Sequence, residues 1–194
     1  MRIAIIGWGS LIWCPGVLQT KSRWHRDGPA LPIEFARISG DNRLTLVIHP
    51  GCKVQRTLWA LAVAPELEAV RSNLRAREGT ASRLIHSGTA AGEFSEDVSV
   101  EVRNTIAEWL KEHPDIDGCV WTGLASNWRE AKDADFSVGA AIEHLEDLPE
   151  TARSRAQEYV QNAPHQIQTT VRSAIRERLG WDDAELSPAL FAAD

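Results

Sequence analysis

The chain opens with a short apolar run that ends in glycine, and this run constrains the fold more than any other segment. Residues 2–7 read Arg-Ile-Ala-Ile-Ile-Gly, and a β-branched run bounded by glycine is typical of a buried strand. The glycine-rich residues 7–10 that follow predict a tight turn directly after the strand. Such a turn exposes successive backbone N–H groups, which bind an anion or an oxyanion. The alternative is a tight turn that binds nothing.

A strand followed by a glycine-rich turn also suggests a dinucleotide-binding site, but the residues argue against one. Ile12 stands where the G-x-G-x-x-G pattern has its third glycine, and Pro15-Gly16 cannot lie inside a following helix. No clear second strand ends in an acidic residue about twenty positions later. We therefore keep only the anion-binding turn.

The rest of the chain reads as strands mostly first and helices mostly later, which predicts an α+β fold with a small mixed β-barrel or sheet and flanking helices. The predicted strands are residues 2–7, 32–38, 43–49, 54–63, 81–87 and 118–124, with Asp41-Asn42 as a turn. The first predicted helix runs from Pro65 to Gly79, and the second carries Val102, Ile106, Trp109 and Leu110 on one face and ends at Pro114. Ser137 caps a third helix, and a longer helical region begins at Pro149, breaks at Pro164 and ends at Gly180.

Charge is distributed unevenly along the 194 residues. The net charge of −6 argues against general nucleic-acid binding. Residues 1–60, however, contain eight Lys and Arg against three acidic residues, a local charge of +5. This basic segment either steers a small anionic ligand or consists of solvated loop charges.

Cysteine and histidine spacing gives no metal or disulfide pattern. The three cysteines, at positions 14, 52 and 119, form no C-x-x-C pair, and the six histidines form no H-x-x-x-H pair. We expect a reduced, cytoplasmic protein without a metal or cofactor, and no apolar run approaches the roughly 18 residues of a membrane span. Ser10 and Cys14 are possible nucleophiles, but the sequence has no G-x-S-x-G motif and no residue that can be assigned as their base.

Glu78 is the acidic residue that the sequence singles out. It lies at the predicted C-terminal end of a helix, where the macrodipole disfavours a carboxylate, and Gly79 turns the chain directly after it. Most glutamates in such positions are simply exposed. One that is held there in a partly buried place is a candidate general base.

Two segments together resemble the gamma-glutamylcyclotransferase-like family, especially its ChaC-like branch. Residues 8–11, Trp-Gly-Ser-Leu, resemble the family's Tyr-Gly-Ser-Leu loop, and residues 74–79, Leu-Arg-Ala-Arg-Glu-Gly, resemble the segment that carries its catalytic glutamate. Residues 31–37, 43–48 and 58–61 lie between them in the order of the family's strand-turn-strand core. The resemblance covers about residues 3–88, weakens at 118–124 and is absent from 149 onward.

The resemblance implies a small mixed barrel, residues 1–148, with a cavity under the binding loop and Glu78 inside it. It implies that Trp8, Gly9, Ser10 and Leu11 bind the substrate and that Glu78 is catalytic. The implied substrate is a small anionic γ-glutamyl compound, whose α-amine attacks its own γ-carbonyl and releases 5-oxoproline without a cofactor. Residues 149–194 would form a helical C-terminal extension packed on the same domain.

The chain also departs from the family pattern. Trp8 replaces the loop tyrosine, so a phenol hydrogen bond is lost or replaced by an indole N–H, and Tyr159 is the single tyrosine, so tyrosines of family pockets do not carry over. Among the eight tryptophans, we expect those at positions 8, 13, 59 and 121 to shape the pocket. The alternative function is a non-catalytic ligand-binding or interaction protein with the same fold. We expect no nucleic-acid or membrane partner, and the extension could form a homodimer surface.

Overall fold

The computed structural model describes residues 1–193 and confirms an α+β fold of two sheets and six α-helices. The strands are β1 (Ile3–Gly7), β2 (Ala30–Ile38), β3 (Leu44–Ile48), β4 (Val54–Arg56), β5 (Leu58–Leu61), β6 (Ile85–Thr89) and β7 (Gly118–Thr122). The helices are α1 (Leu67–Glu78), α2 (Val100–Glu112), α3 (Trp128–Lys132), α4 (Val138–Glu146), α5 (Glu150–Gln161) and α6 (Thr170–Leu179). Short 3₁₀ helices cover Ser82–Leu84 and Pro188–Leu190.

The strands form two separate sheets. The larger has the order β5-β1-β7-β6, in which β1 runs parallel to β7 and the other pairs are antiparallel. The smaller has the order β3-β2-β4 and is antiparallel throughout. Within the described residues no barrel closes, so the barrel form of the predicted fold is wrong and the sheet form stands.

The predicted strand 54–63 is wrong as a single strand, because the chain changes sheets at Thr57. β4 pairs with β2 in the smaller sheet, whereas β5 pairs with β1 in the larger one. Thr57 is fully buried between them, and both its N–H and its hydroxyl donate to the carbonyl of Pro29, at 3.2 and 2.7 Å. This long-range anchor turns the chain where the sequence shows no glycine or proline.

The larger sheet is covered on both faces. Ile3 and Ile5 point towards Val70 and Leu74 of α1. The alternate residues Ala4 and Ile6 point the other way and share a core with the smaller sheet and the remaining long helices. Because side chains alternate along a strand, β1 must be apolar at every position to fill both cores.

Helix α1 ends where the sequence predicts. Gly79 caps it in the left-handed conformation, with φ of 60°, and its N–H donates to the carbonyl of Arg75. A residue with a side chain adopts this conformation at a cost, which explains the glycine. Glu78 is therefore the last helical residue, as predicted.

The C-terminal helices contribute to the same core as the sheets. Ala156, Tyr159 and Val160 of α5 are buried there, together with residues of α6. Glu34 of β2 is buried and accepts hydrogen bonds from the N–H groups of Thr170 and Val171, at the N-terminus of α6. This contact ties the extension to the smaller sheet, because the helix N-terminus favours a carboxylate.

A buried guanidinium holds the segment between α5 and α6. Arg172 donates to the carbonyls of Ala163, Pro164 and Ile167 and to the carboxylate of Asp183. Burial disfavours the ionised form of Asp183, but the charges of Arg172 and Arg176 outweigh it and lower the pKa of this carboxyl.

In residues 1–193 no helix combines the length and the apolar character needed to cross a membrane.

Candidate active site

A cavity of about 250 Å³ opens at the C-terminal ends of the parallel strands β1 and β7. Its wall includes all five residues that the sequence predicts for the site, namely Trp8, Gly9, Ser10, Leu11 and Glu78. The other residues that line it are Ile6, Arg37, Ser39, Arg43, Thr45, Leu46, Val47, Thr122, Leu124 and Tyr159. The cavity lies slightly below the range of about 300–1,000 Å³ that is usual for drug-sized ligands, which suits a small molecule.

The binding loop, residues 8–11, lines the cavity and includes backbone N–H groups without partners among the described residues. The N–H of Ile12 donates to the carbonyl of Gly9, and the N–H of Cys14 donates to that of Ser10, so the loop is a compact turn. Among residues 1–193, no acceptor receives a hydrogen bond from the N–H groups of Gly9, Ser10 or Leu11. Adjacent unpaired donors of this kind are suited to a carboxylate or an oxyanion.

Arg77 connects Glu78 to the binding loop. Its Nη1 donates to the carboxylate of Glu78 at 2.6 Å, while its Nη2 donates to the hydroxyl of Ser10 at 2.9 Å and to the carbonyl of Cys14 at 2.7 Å. The side chains of Arg77 and Glu78 are only 13% and 14% exposed. Glu78 is therefore held at the cavity by a partner that also fixes the loop, rather than pointing freely into solvent.

Trp8 and Tyr159 meet on the backbone of one residue of β3. The indole N–H of Trp8 donates to the carbonyl of Leu46 at 3.1 Å, and the N–H of Leu46 donates to the phenol oxygen of Tyr159 at 3.4 Å. β3 is an edge strand, so these groups would otherwise lack partners. The indole N–H is thus used inside the protein and does not substitute for a phenol at the cavity.

Tyr159 brings a phenol to the wall of the cavity. Burial raises the pKa of Tyr159 to about 12, with a further contribution from the nearby charge of Glu78, and the hydrogen bond from Leu46 and the arginines act in the opposite direction. The hydroxyl is therefore protonated throughout the physiological range and can donate a hydrogen bond. Its oxygen lies against Gly9 of the binding loop.

Two arginines give the cavity wall an excess of positive charge over Glu78. The pairing of β2 with β3 shifts register between Phe35 and Arg37, and such a bulge redirects the side chains beyond it. Arg37 lines the cavity and donates to the carbonyl of Ala125. Arg43, the residue before β3, also lines it, and its guanidinium lies 5.4 Å from the centre of the Tyr159 ring. This charge is suited to an anionic ligand.

The tryptophans are placed differently from the prediction. Trp8 lines the cavity, and Trp13 packs edge-on against Tyr159, with ring centres 5.3 Å apart. The prediction for Trp59 is wrong: it lies in the core, donates to Asp27 and stacks on His25. Trp121 lines a neighbouring cavity instead.

The same residues bear on nucleophilic catalysis at Ser10 and on metal binding. Ser10 accepts its hydrogen bond from Arg77, and over the described residues no histidine or cysteine lines the cavity to activate or replace it. Across residues 1–193, no three His, Cys, Asp or Glu side chains are arranged to hold a metal ion. The ionisable groups that face the cavity are thus one carboxylate, two guanidinium groups and one phenol.

Sequence reasoning missed Tyr159, Arg37 and Arg43 as individual site residues. The buried face of α5, formed by Ala152, Ala156 and Tyr159 at helical spacing, indicated that Tyr159 points inwards. No local signal locates the bulge that redirects Arg37.

Comparisons of the chain with models of protein families, with curated proteins and with solved structures gave no match.

Proposed function

We propose that this chain is a gamma-glutamylcyclotransferase-like enzyme that releases 5-oxoproline from a small γ-glutamyl compound, with Glu78 as the acid and base. The observation that carries the proposal is one shared cavity. Glu78, residues 9–11 with their unpaired N–H groups, and two arginines all line it. The resemblance of the two motifs to this family supports the same assignment.

The reaction requires a proton to move between two nitrogens of one molecule. The α-amine of the substrate is largely protonated at neutral pH, so it must lose a proton before its nitrogen attacks the γ-carbonyl carbon. That first proton passes to solvent, and the attacking nitrogen must then lose a second proton to become the amide nitrogen of 5-oxoproline. Glu78 takes this second proton and returns it to the leaving nitrogen as the bond between that nitrogen and the γ-carbon breaks. The products are 5-oxoproline and the free amine.

The other groups of the cavity bind and orient the substrate. Arg37 and Arg43 pair with its α-carboxylate, and the N–H groups of Gly9, Ser10 and Leu11 stabilise the oxyanion that develops on the γ-carbonyl. Because the nucleophile is already part of the substrate, holding one folded conformer accounts for much of the acceleration. These steps need no group other than those of the chain and the substrate.

The test is the replacement Glu78→Gln, which keeps the size of the side chain and removes the base. We expect 5-oxoproline release to fall by about 10²–10⁴-fold, the range for loss of a general acid or base, while circular dichroism stays unchanged. Glu68→Gln is the matched control, because Glu68 belongs to the same helix and its side chain is 76% exposed.

Full turnover by Glu78→Gln would refute the assignment of the base. Saturable binding of γ-glutamyl compounds by the unmodified protein, with no product between about pH 6 and 9, would instead support a non-catalytic binding protein.

A further inference from the structure

A second cavity, of about 190 Å³, lies beside the candidate active site and shares a wall with it. Leu124 lines both cavities. The strands β3 and β7 also contribute to both: Val47 and Thr122 line the first cavity, whereas the adjacent residues Ile48 and Trp121 line the second. The two cavities are therefore neighbours along β3 and β7 and meet at Leu124.

The segment that carries Leu124, residues 123–126, is fixed in place. The N–H of Gly123 donates to the carbonyl of Leu84, and the carbonyl of Ala125 accepts from Arg37, which itself lines the first cavity. The hydroxyl of Ser126 donates to the carbonyl of Ala36. These bonds hold residues 123–126 against the 3₁₀ helix Ser82–Leu84 on one side and β2 on the other. The fold therefore fixes the position of one cavity relative to the other.

The second cavity is mainly apolar. Its apolar lining residues are Ile48, Pro50, Val98, Val102, Trp121, Leu124 and Ala125. Apolar surface of this kind stabilises a ligand by about 25 cal/mol for each Å² removed from water. The indole N–H of Trp121 is buried and has no partner among residues 1–193.

The charge at the second cavity is negative. Asp97 and His86 both line it. Burial lowers the pKa of His86. The negative charge of Asp97 raises this pKa in part, and the positive charge of Arg71 lowers it slightly further. The imidazole is therefore neutral at physiological pH and offers no charge to balance Asp97. A ligand group that carries a carboxylate would be repelled here.

We propose that the second cavity binds the leaving group of the substrate, and that this group is an apolar or aromatic amine without a carboxylate. The inference rests on the proposed function, because it places the γ-glutamyl part in the first cavity. The scissile amide then lies near Leu124, and the amine substituent extends past it along the accessible apolar lining of Ile48, Pro50 and Ala125. The substrate class is accordingly a γ-glutamyl amine rather than a γ-glutamyl amino acid.

Three substrates test this assignment: γ-glutamylbenzylamide, γ-glutamylmethylamide and γ-glutamylphenylalanine. They share the γ-glutamyl part and differ in the apolar substituent and in the carboxylate. We expect kcat/KM for 5-oxoproline release to be at least about tenfold higher for the benzylamide than for either of the others, as for differences in apolar pocket contacts.

A variant that fills the second cavity tests whether the preference for the benzylamide arises there. Ala125 is exposed at its edge, so Ala125→Trp can place an indole there without disturbing the core. We expect this change to reduce the ratio of benzylamide to methylamide turnover towards one. Ala91→Trp, at an exposed loop position elsewhere, is the matched control and should keep the ratio.

The outcomes separate the inference from the proposed function. Equal kcat/KM for the three substrates would overturn the inference alone, whereas absence of 5-oxoproline from all three would overturn the proposed function and the inference with it. Should Ala125→Trp fail to fold, calorimetric binding to Glu78→Gln decides. Binding of the benzylamide at least about tenfold tighter than the methylamide supports the second cavity, and equal binding refutes it.

Discussion

The phenol oxygen of Tyr159 lies where a side chain on Gly9 would begin. A Cβ atom on residue 9 would be 2.7 Å from this oxygen and 3.8 Å from the ring carbon that bears it. The first distance is too short for van der Waals contact, and the second is an ordinary one. The binding loop and α5 therefore fit together only because residue 9 lacks a side chain.

This contact predicts a stability loss that a second substitution repairs. Gly9→Ala should lower the free energy of unfolding by about 1–3 kcal/mol, the usual cost of overpacking, because the Tyr159 ring is buried and has little room to withdraw. Tyr159→Phe removes the oxygen, so the double variant should regain most of the loss. Urea unfolding of the four proteins gives the double-mutant cycle. Strictly additive losses would contradict the contact.

Removal of the Arg77 side chain should lower both the free energy of unfolding of the protein and its turnover of substrate. Arg77→Met deletes the donors to Glu78 and to Ser10, and we expect a destabilisation of about 1–3 kcal/mol, below the roughly 3–5 kcal/mol of a fully buried pair because both side chains are slightly exposed. Turnover should fall as well, since neither the carboxylate nor the loop is then held. The measurements are urea unfolding and 5-oxoproline release.

Arg75→Met is the control for this prediction. Arg75 belongs to the same helix, and its side chain is exposed. If Arg77→Met proves as stable and as active as Arg75→Met, the bridge from the helix to the loop has no functional importance.

Arg43 predicts a change in substrate affinity. Its guanidinium lines the cavity and is paired with Asp41, at 2.8 Å. Arg43→Gln should raise KM by about tenfold or more, because a hydrogen bond to a charged group is typically worth about 1.5–3 kcal/mol, while kcat changes less. Lys53→Gln, in the same basic segment but on an exposed loop, should change neither constant. An unchanged KM in Arg43→Gln would exclude this residue from anion binding.

The features that could be predicted from the sequence are those with local causes. Gly79 and Gly180 end helices because the left-handed cap needs only one residue, and Ser137 caps α4 through the N–H of Ala140 three residues away. Glu78 follows directly from the position of Gly79. These signals depend on the chain within a few residues, which is why they could be read directly.

The features that could not be predicted depend on distant partners. Thr57 splits a predicted strand because Pro29 accepts its two hydrogen bonds, and Tyr159 reaches the cavity because α5 packs beside Leu46 of β3. Neither contact leaves a local pattern. The phenol at the cavity is therefore supplied by the C-terminal helices rather than by the strands and loop that form most of the wall.

His144 predicts a pH dependence of stability. Its Nε2 lies 2.8 Å from the carbonyl of Asn42, in the turn between β2 and β3, and the ring is buried. Burial lowers the pKa of His144, and the carbonyl of Asn42 and the charge of Asp147 only partly oppose this, while Lys132 adds to it. The nitrogen therefore donates to Asn42 as part of a neutral ring.

The sign of the effect follows from proton uptake. On acidification below about pH 6.5, a histidine in the unfolded chain binds a proton before the folded one does, so stability is full above this pH and falls as the pH decreases. His144→Gln keeps an amide donor near the position of Nε2 and does not titrate. Between about pH 7 and pH 5, the free energy of unfolding from urea titrations should fall less steeply for this variant than for the unmodified protein. Part of the slope should remain in His144→Gln, because burial also lowers the pKa of His86, and identical slopes would show that His144 takes up its proton equally in both states.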